Sequence, residues 1–292
     1  MPAPDRPTPP PIEAEAVRIH ATKIPQYRVT AVNVGNMKVD ASEMSYGRDF
    51  GRKVNIPVWC AAIEGNGKRI IVDTGISDPQ WVARLMCPSW QANDETIDGA
   101  LDVLGWTRNS VDIVINSHLH HDHCANNSAF PQAEFFVSLA EWEYAQSPIS
   151  LQQVLYNQSW LAPPLGLFDY TLVQDDFYDV LPGLRLVRTP GHTPGHQSLL
   201  VNTDEGVLCV SGDAVNSRES LADGVPCGLL WSTEHGIESV RRIRALADRV
   251  LMCHDPQIEK FQEGGFPLAS AVVDAETATE RAQSETHREA QR

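Results

Sequence analysis

Residues 116–123 read Asn-Ser-His-Leu-His-His-Asp-His and follow directly on the apolar stretch 111–115, Val-Asp-Ile-Val-Ile. A short apolar stretch of this kind predicts a buried β-strand. Imidazole and carboxylate are ligands that a divalent transition metal takes when it keeps an exchangeable position, whereas closed structural zinc sites usually contain several thiolates. A single histidine is more often an ordinary core or surface residue. Four histidines beside an aspartate are costly to bury without a cation, so the cluster predicts a hydrolytic metal site.

The spacing within this cluster predicts two neighbouring ligand sets. If the chain leaves the strand still extended, His118, His120 and Asp122 project to one side, because side chains alternate with a period of two. His123 then reaches the same cavity only through a turn. His118 and His120 suit one metal, and Asp122 with His123 suits a second metal a few ångströms away, as in two-metal hydrolases.

Other apolar stretches of the chain also end in a potential ligand. A loop at a strand end can gather side chains from distant parts of the sequence into one cavity. The segments concerned are 69–75 with Asp73, 188–196 with His192 and His196, 207–213 with Asp213, and 250–255 with His254.

Five motifs, taken together and in this order, resemble the metallo-β-lactamase superfamily of dinuclear metallohydrolases. They are IIVDTG at 70–75, HLHHDH at 118–123, TPGHTPGH at 189–196, SGDA at 211–214 and CHD at 253–255. The resemblance covers about residues 55 to 256, and within the superfamily it is strongest to the N-acyl homoserine lactonase group. It implies an α/β fold, the four-layer αββα sandwich.

The resemblance also implies a ligand for every position of a two-metal site. One metal ion would be held by His118, His120 and His192. The other would be held by Asp122, His123 and His254, with Asp213 as the bridge. Asp73 resembles the carboxylate that orients a ligand histidine, and His196 is expected to shape its loop through hydrogen bonds. Zinc is the default expectation for both ions, and manganese, iron and cobalt accept the same ligands.

The function implied is the opening of a lactone ring, as in an N-acyl homoserine lactone, by attack of a metal-bridging hydroxide. Asp122 would carry the proton from the attacking group to the leaving group. The chain departs from the lactonases at two positions of the site: Asn216, which can still donate a hydrogen bond, stands where they carry a tyrosine, and His121 stands where they carry a bulky apolar residue. After the HLHHDH motif, Ala125-Asn126 replaces a glycine pair of the lactonases. A hydrolase of another small ester, thioester or amide is the alternative function. A non-catalytic metal-binding module is a third possibility.

Composition restricts the partners of the protein to small molecules. The 292 residues include 38 Asp and Glu against 23 Lys and Arg, and the formal charge of −15 disfavours binding to nucleic acid or to an anionic membrane. No stretch approaches the roughly eighteen apolar residues of a membrane helix, and no signal peptide is evident, which predicts a cytoplasmic protein. The six cysteines lack paired spacing and are expected to be reduced. A homodimer is compatible with the sequence.

The pattern along the chain predicts one catalytic domain with two extensions. Residues 1–28 are rich in proline and predict a flexible extension, 29–268 form the catalytic domain, and 269–292 predict a polar tail or helix. Helices are expected near 94–104, 139–146 and 235–247. The segment 147–170 interrupts the pattern, and its apolar residues predict either a lid over an acyl chain or a cover for the sheet.

Overall fold

The computed structural model describes residues 24–156 and 170–269 of the chain. The predictions made for the N-terminal extension and the C-terminal tail therefore lie almost wholly outside the described residues. The same is true of most of the predicted lid or cover, since residues 157–169 are not described. The predicted boundaries of the catalytic domain stay a prediction.

The first of two β-sheets has seven strands in the order β4-β1-β2-β3-β5-β6-β7. Strands β4, β1, β2 and β3 pair antiparallel, whereas β3, β5, β6 and β7 run parallel. The strands are β1 (Arg28–Asp40), β2 (Lys53–Gly65), β3 (Lys68–Val72), β4 (Ser89–Trp90), β5 (Ile113–Ile115), β6 (Glu134–Ser138) and β7 (Tyr170–Val173).

The second sheet has five strands in the order β12-β11-β10-β9-β8. Only β11 and β12 pair in parallel, and the other neighbours are antiparallel. The strands are β8 (Phe177–Leu181), β9 (Leu184–Arg188), β10 (Gln197–Thr203), β11 (Gly206–Val210) and β12 (Arg249–Leu251).

Six α-helices are found among the described residues. They are α1 (Pro79–Leu85), α2 (Ile97–Leu104), α3 (His121–Cys124), α4 (Leu139–Gln146), α5 (Arg218–Asp223) and α6 (Thr233–Leu246). None of these helices is long and apolar enough to cross a membrane. Most of their stability comes from packing, because helices this short are marginal in isolation.

The two sheets pack face to face, and helices cover their outer faces. Alternate residues of β2 show why: Ala61 and Ile63 belong to the core shared with Leu199 of the second sheet, whereas Cys60 and Ala62 pack with Leu101 of α2. The helix α6 buries its apolar stripe, including Val240 and Ile243, against the second sheet. The predicted four-layer αββα sandwich is confirmed.

The secondary structure agrees with the prediction from the sequence where the apolar pattern is strong, and it differs from the prediction where the elements are short. The helices expected near 94–104, 139–146 and 235–247 correspond to α2, α4 and α6. The strands β6, β7 and β8, each of four or five residues, were not predicted as separate strands. Four or five residues give too few positions to separate a strand from a loop or helix by period.

Candidate metal centre

The seven predicted metal ligands lie together at one end of the sandwich. Each of them follows the C-terminal end of a strand: the run from His118 to His123 follows β5, His192 follows β9, Asp213 follows β11, and His254 follows β12. All seven side chains are buried. Their ligand atoms form overlapping groups of three in which every atom lies within 4.8 Å of the other two.

The loop of residues 116–124, called the HLHHDH loop below, is extended only as far as His120. The backbone of His120 has φ −70° and ψ 159°, and the short helix α3 begins at the next residue. The expectation that Asp122 continues the extended alternation is therefore wrong. The N–H groups of His123 and Cys124 both bond to the carbonyl oxygen of His120, at 3.0 and 3.1 Å, and this turn carries His123 back towards His118. The His118 and His123 ring centroids are 4.1 Å apart.

The first triad consists of His118, His120 and His192. The ring of His118 lies 4.5 Å from that of His120 and 4.7 Å from that of His192, edge to face in both cases. The Nε2 atom of His192 is 2.9 Å from Nδ1 of His120. The opposite nitrogen of His192, Nδ1, lies 2.6 Å from the carbonyl oxygen of Leu229, which fixes it as the protonated nitrogen and leaves Nε2 with its lone pair.

The second triad consists of Asp122, His123 and His254. The Nε2 atoms of His123 and His254 each lie 3.5 Å from Oδ2 of Asp122. The Nδ1 atom of His254 donates to the carbonyl oxygen of Pro57 at 2.8 Å, so its Nε2 lone pair also faces the cluster.

Asp213 lies between the two triads. Its Oδ1 atom is 3.4 Å from Nε2 of His123 and 3.2 Å from Nε2 of His254, and its Oδ2 atom is 3.3 Å from Nε2 of His192. Each carboxylate oxygen therefore faces a different triad. This is the arrangement that a carboxylate bridging two cations requires.

Asp73 makes the contacts expected of an orienting carboxylate. Its Oδ2 atom lies 2.8 Å from Nδ1 of His123 and accepts the Ser117 hydroxyl at 2.7 Å, while Oδ1 accepts the Ser117 backbone N–H at 2.7 Å. Asp73 has a positive φ of 62°, a conformation that aspartate tolerates better than most residues. Its contacts fix the protonated nitrogen of His123 and leave Nε2 for the cluster.

His196 shapes its loop through hydrogen bonds, as the sequence indicated. Its Nε2 atom accepts the backbone N–H of Asp213 at 3.0 Å, so Nδ1 carries the proton and donates to the Thr189 hydroxyl at 2.9 Å. Burial and the neighbouring His192 lower the pKa of His196 to about 3, which keeps the ring neutral. His196 thus holds the backbone of Asp213 in place.

The electrostatics of the cluster suit divalent cations. Burial and the neighbouring imidazoles lower the pKa of His118 and His120 well below the usual range, so both rings are neutral. Burial alone would raise the pKa of Asp213, but His254, His123 and His192 outweigh it and hold that pKa well below its usual value. Charged carboxylates beside neutral imidazoles are the donor set that a zinc-like ion takes.

Unsatisfied polar atoms give an independent test of the fit. Within residues 24–156 and 170–269, four buried atoms of the seven predicted ligands make no hydrogen bond: Nε2 of His118, Nε2 of His120, Nε2 of His123 and Oδ1 of Asp213. Buried polar groups are almost always satisfied, so orphaned atoms at one place require another partner. Metal ions coordinated by these atoms would satisfy them, and the residues present therefore fit a two-metal site.

Two cysteines adjoin the predicted ligands and neither suits a metal. Cys124 Sγ points to the carbonyl oxygen of Leu119 at 3.4 Å, away from both triads. Cys253 Sγ lies within reach of Asp73 and His123. However, Asp73 and His123 Nδ1 already bond to each other at 2.8 Å, and burial and the nearby carboxylates raise the pKa of the Cys253 thiol well above its usual value. None of the six cysteines, all of which are described, forms a disulfide.

The two positions that depart from the lactonase pattern are both buried beside the cluster. Asn216 follows the turn that contains Asp213, is 5% exposed, and its Oδ1 atom bonds to none of the described residues. His121 is 2% exposed, with Nε2 3.8 Å from Oδ1 of Asp122 and its ring 5.9 Å from that of Trp81. Sequence reasoning missed the backbone carbonyl groups of Leu229 and Pro57, which accept from His192 and His254, because a backbone oxygen leaves no signal in a sequence motif.

Fold and site define a class of protein: the chain belongs to the metallo-β-lactamase superfamily, whose sequence profile matches residues 55–254. An N-acyl homoserine lactonase of Bacillus cereus is 30% identical over 244 residues, which cover 78% of this chain and 93% of that protein. An N-acyl homoserine lactonase of Rhizobium radiobacter is 29% identical over 245 residues, with the same coverage of 78% and 93%.

The comparison with solved structures leads to the same group. A structure of an N-acyl homoserine lactone hydrolase, with the product N-hexanoyl-L-homoserine bound at its catalytic metal centre, matches with a TM-score of 0.69 and 26% identity. The match covers 80% of this chain and 95% of that one. The resemblance predicted from the motifs is confirmed, and the protein is a metal-dependent hydrolase similar to the lactonases.

Proposed function

We propose that this protein opens the lactone ring of N-acyl homoserine lactones or similarly acylated lactones at a two-metal site. The observation that carries the proposal is the buried cluster of seven ligand side chains, whose two triads share Asp213. The relatives that act on N-acyl homoserine lactones span the same region of the chain and support this substrate class.

The proposed ligands divide between the two ions as the triads do. His118, His120 and His192 would hold one ion, Asp122, His123 and His254 would hold the other, and Asp213 would be shared between them. When bound, two divalent ions supply a water of lowered pKa and a Lewis acid for the carbonyl oxygen. Zinc is the proposed metal, because neutral imidazoles and carboxylates in this number suit it, although manganese, iron and cobalt take the same ligands.

Asp122 is the proposed proton carrier. It lies at the edge of the cluster, with Oδ2 equidistant from the two imidazoles of its triad at 3.5 Å. During ring opening, the attacking water loses a proton and the ring oxygen leaves as an alkoxide that must gain one. A carboxylate next to both positions can take the first proton and deliver it to the second, as general acid–base catalysis requires.

Asn216 is the proposed contact for the substrate carbonyl. Its amide is buried next to Asp213 and its Oδ1 has no partner among the described residues, so the side chain is available to a ligand. The Nδ2 group can donate a hydrogen bond to a carbonyl oxygen but cannot act as an acid. Other small esters, thioesters and amides present the same carbonyl group to Asn216, so their hydrolysis is the second candidate function.

The experiment that tests the function is a panel of substrates with metal-replete protein. Ring opening is followed by proton release for short- and long-chain N-acyl homoserine lactones, plain γ- and δ-lactones, simple esters and thioesters, and a phosphodiester as the control. We expect the highest kcat/KM with acylated lactones and no turnover of the phosphodiester. Turnover of esters or thioesters without any lactone activity would replace the proposal by the second candidate.

Three further proposals concern the partner, the oligomeric state and the location of the protein. A small molecule is the proposed partner, in agreement with the product bound in the related solved structure. A homodimer is compatible with the sequence, and the cytoplasmic location is predicted from the sequence; both stay predictions.

A further inference from the structure

The carboxylate of Glu141 is fully buried in the helix α4, close to the proposed metal site, although it belongs to neither triad and takes no part in the proposed reaction. Burying a charged carboxylate is costly unless several donors satisfy it. The hydrogen bonds of Glu141 therefore indicate what the residue is for.

The two oxygens of Glu141 accept hydrogen bonds from two different loops. Oε1 accepts the backbone N–H of Leu119 at 3.1 Å and the hydroxyl of Tyr156 at 2.9 Å. Oε2 accepts the hydroxyl of Thr193 at 2.5 Å. The backbone N–H of Gly195 also donates to this carboxylate.

These donors lie next to ligands of the first triad, either along the chain or in space. Leu119 lies between His118 and His120 in the HLHHDH loop, and Thr193 follows His192 in the loop of residues 189–196, called the TPGH loop below. Tyr156 packs its ring against that of His120, with centroids 4.6 Å apart. Glu141 therefore bonds to residues that adjoin all three histidines of the first triad.

The backbone of the TPGH loop also lies directly against the helix that carries Glu141. A Cβ atom added to Gly195 would come within 1.9 Å of the backbone nitrogen of Glu141. Only glycine allows this approach. The HLHHDH loop and the TPGH loop are also linked near their strands. There, the backbone N–H of Gln197, the first residue after the TPGH loop, donates to the Ser117 carbonyl oxygen at 3.0 Å. That contact fixes the base of the loops, and Glu141 fixes the part that bears the ligands.

We infer that Glu141 is a positioning residue that sets the distance between His192 and the pair His118 and His120, and thereby the affinity of the first triad for its metal ion. The inference rests on the proposed two-metal site. It predicts selectivity, because the second triad takes no ligand from the TPGH loop: Asp122 and His123 come from the HLHHDH loop and His254 follows β12. A residue with only a structural role would lower stability without distinguishing between the triads.

The chemistry of the substitution Glu141→Gln isolates this role. A glutamine keeps one carbonyl oxygen, which can still accept from Leu119 N–H and the Tyr156 hydroxyl. Its NH₂ group would take the place of Oε2 and cannot accept the hydrogen bond that Thr193 donates there, so the TPGH loop loses an anchor while the volume of the side chain is kept. Changes in groups that support metal ligands typically cost about 10- to 100-fold in metal affinity. Since Glu141 acts through the backbone, we expect about tenfold, at the low end of that range.

The experiment measures zinc affinity by titration against a competing chelator, in two backgrounds that each retain one triad. The variant His254→Ala leaves the first triad complete, and His192→Ala leaves the second. We expect Glu141→Gln to lower zinc affinity about tenfold in the first background and by less than about twofold in the second. Thr193→Val, which removes one hydroxyl donor and keeps the side-chain shape, should produce a smaller loss with the same selectivity.

A matched control is available in Glu95, a carboxylate that also joins separate segments. It accepts hydrogen bonds from Asn33 Nδ2 at 3.0 Å, from Asn36 Nδ2 at 2.8 Å and from the backbone N–H of Ala92 at 2.6 Å. Glu95→Gln should leave zinc affinity unchanged in both backgrounds. Equal losses in the two backgrounds, or no loss with either Glu141→Gln or Thr193→Val, would overturn the inference. Failure of both backgrounds to bind zinc with Glu141 intact would refute the proposed metal site instead.

Discussion

A single imidazole shows how strongly the environment of a residue decides its chemistry in this protein. His123 is buried, which alone would lower its pKa, yet the charges of Asp122, Asp213 and Asp73 outweigh burial and raise that pKa well above its usual value. A divalent ion at Nε2 would balance the same negative charge and leave the Nδ1 proton on the bond to Asp73. Asp73 is therefore the residue on which the orientation of His123 depends.

The substitution Asp73→Asn tests this dependence. Asparagine tolerates the positive φ of 62° at this position, so the backbone is kept. However, the amide has only one acceptor oxygen in place of two, so it cannot accept from both His123 Nδ1 and the Ser117 backbone N–H, which bond to different oxygens of the carboxylate. We expect zinc affinity of the second triad to fall about 10- to 100-fold, measured by chelator competition in the His192→Ala background.

Asp49 provides the control for that experiment. It is another aspartate with a positive φ, 51°, and it forms a surface ion pair with Arg52 at 3.0 Å. Asp49→Asn makes the same chemical change away from the metal ligands and should leave zinc affinity unaltered. Comparable losses in the two variants would mean that the effect of Asp73 is not local.

The residues that sequence could identify are those whose chemistry is concentrated in a short segment. Four histidines and an aspartate within 118–123 are visible without a structure, and the strand-end positions of Asp213 and His254 follow from the apolar stretches before them. Glu141 and the Leu229 carbonyl act from 22 and 37 positions away from the groups they hold. Only the fold brings such groups to the site, so no local pattern could indicate them.

At the scale of elements, the hairpin of β2 and β3 was visible in the sequence and the helix α3 was not. Asn66 and Gly67 join the two strands with positive φ values of 50° and 70°, the geometry of a type I′ turn and a strong sequence signal for a hairpin. The helix α3 has four residues, two of which are the ligand candidates Asp122 and His123, and its sequence has no helical apolar pattern. Its conformation is set by the contacts of the site, and propensity could not reveal it.

The turn after β3 forms backbone hydrogen bonds with α3 and with β1. Thr74 N–H donates to the carbonyl oxygen of His123 at 2.7 Å, and Ile76 N–H donates to that of Val34 at 3.0 Å. Between them, Gly75 has φ 72°, and a Cβ atom added there would lie 2.4 Å from Cβ of Val34. This turn therefore requires glycine for its conformation and also for the close packing.

The pair Gly75→Ala and Gly67→Ala separates the two requirements. Gly67 has a similar φ of 70° with no atom within 4 Å of an added Cβ, so its substitution should cost only the backbone strain, about 1 kcal/mol. Gly75→Ala adds overpacking against β1, and we expect a total loss of about 3 kcal/mol. Urea unfolding of the metal-free proteins measures both. Equal losses would show that Val34 moves aside without cost.

At the scale of the whole molecule, the candidate metal centre joins the two sheets. The HLHHDH loop extends from β5 of the first sheet, whereas His192, Asp213 and His254 follow strands of the second. The apolar core between the sheets, which includes Ile63 and Leu199, would hold them together without metal. The overall sandwich could be predicted from the order of motifs, but the pairing order of its twelve strands depends on long-range contacts that no single segment encodes.

Because the proposed ligands come from both sheets, metal binding and folding must be thermodynamically linked. A ligand that binds only the folded state stabilises it by an amount that grows with the logarithm of its free concentration. We expect chelator-treated protein to unfold at a lower temperature. Above the dissociation constants, each tenfold rise in free zinc should add about 1.4 kcal/mol per bound ion to the free energy of unfolding. Thermal unfolding across a series of zinc buffers measures this slope.

The substitution Asp213→Ala removes the carboxylate that faces both triads, so it should raise the dissociation constants of both ions and reduce lactone turnover by orders of magnitude. Stabilisation by zinc should then begin only at a higher free zinc concentration. Asp248→Ala is the comparison at the opposite end of β11, where that carboxylate accepts only the N–H of Val207 at 2.9 Å. It should lower stability at every zinc concentration by the same amount and leave the slope intact. If the zinc concentration at which stabilisation begins is unchanged in Asp213→Ala, as it should be in Asp248→Ala, the two sheets are not joined through this carboxylate, whatever the activity of the protein.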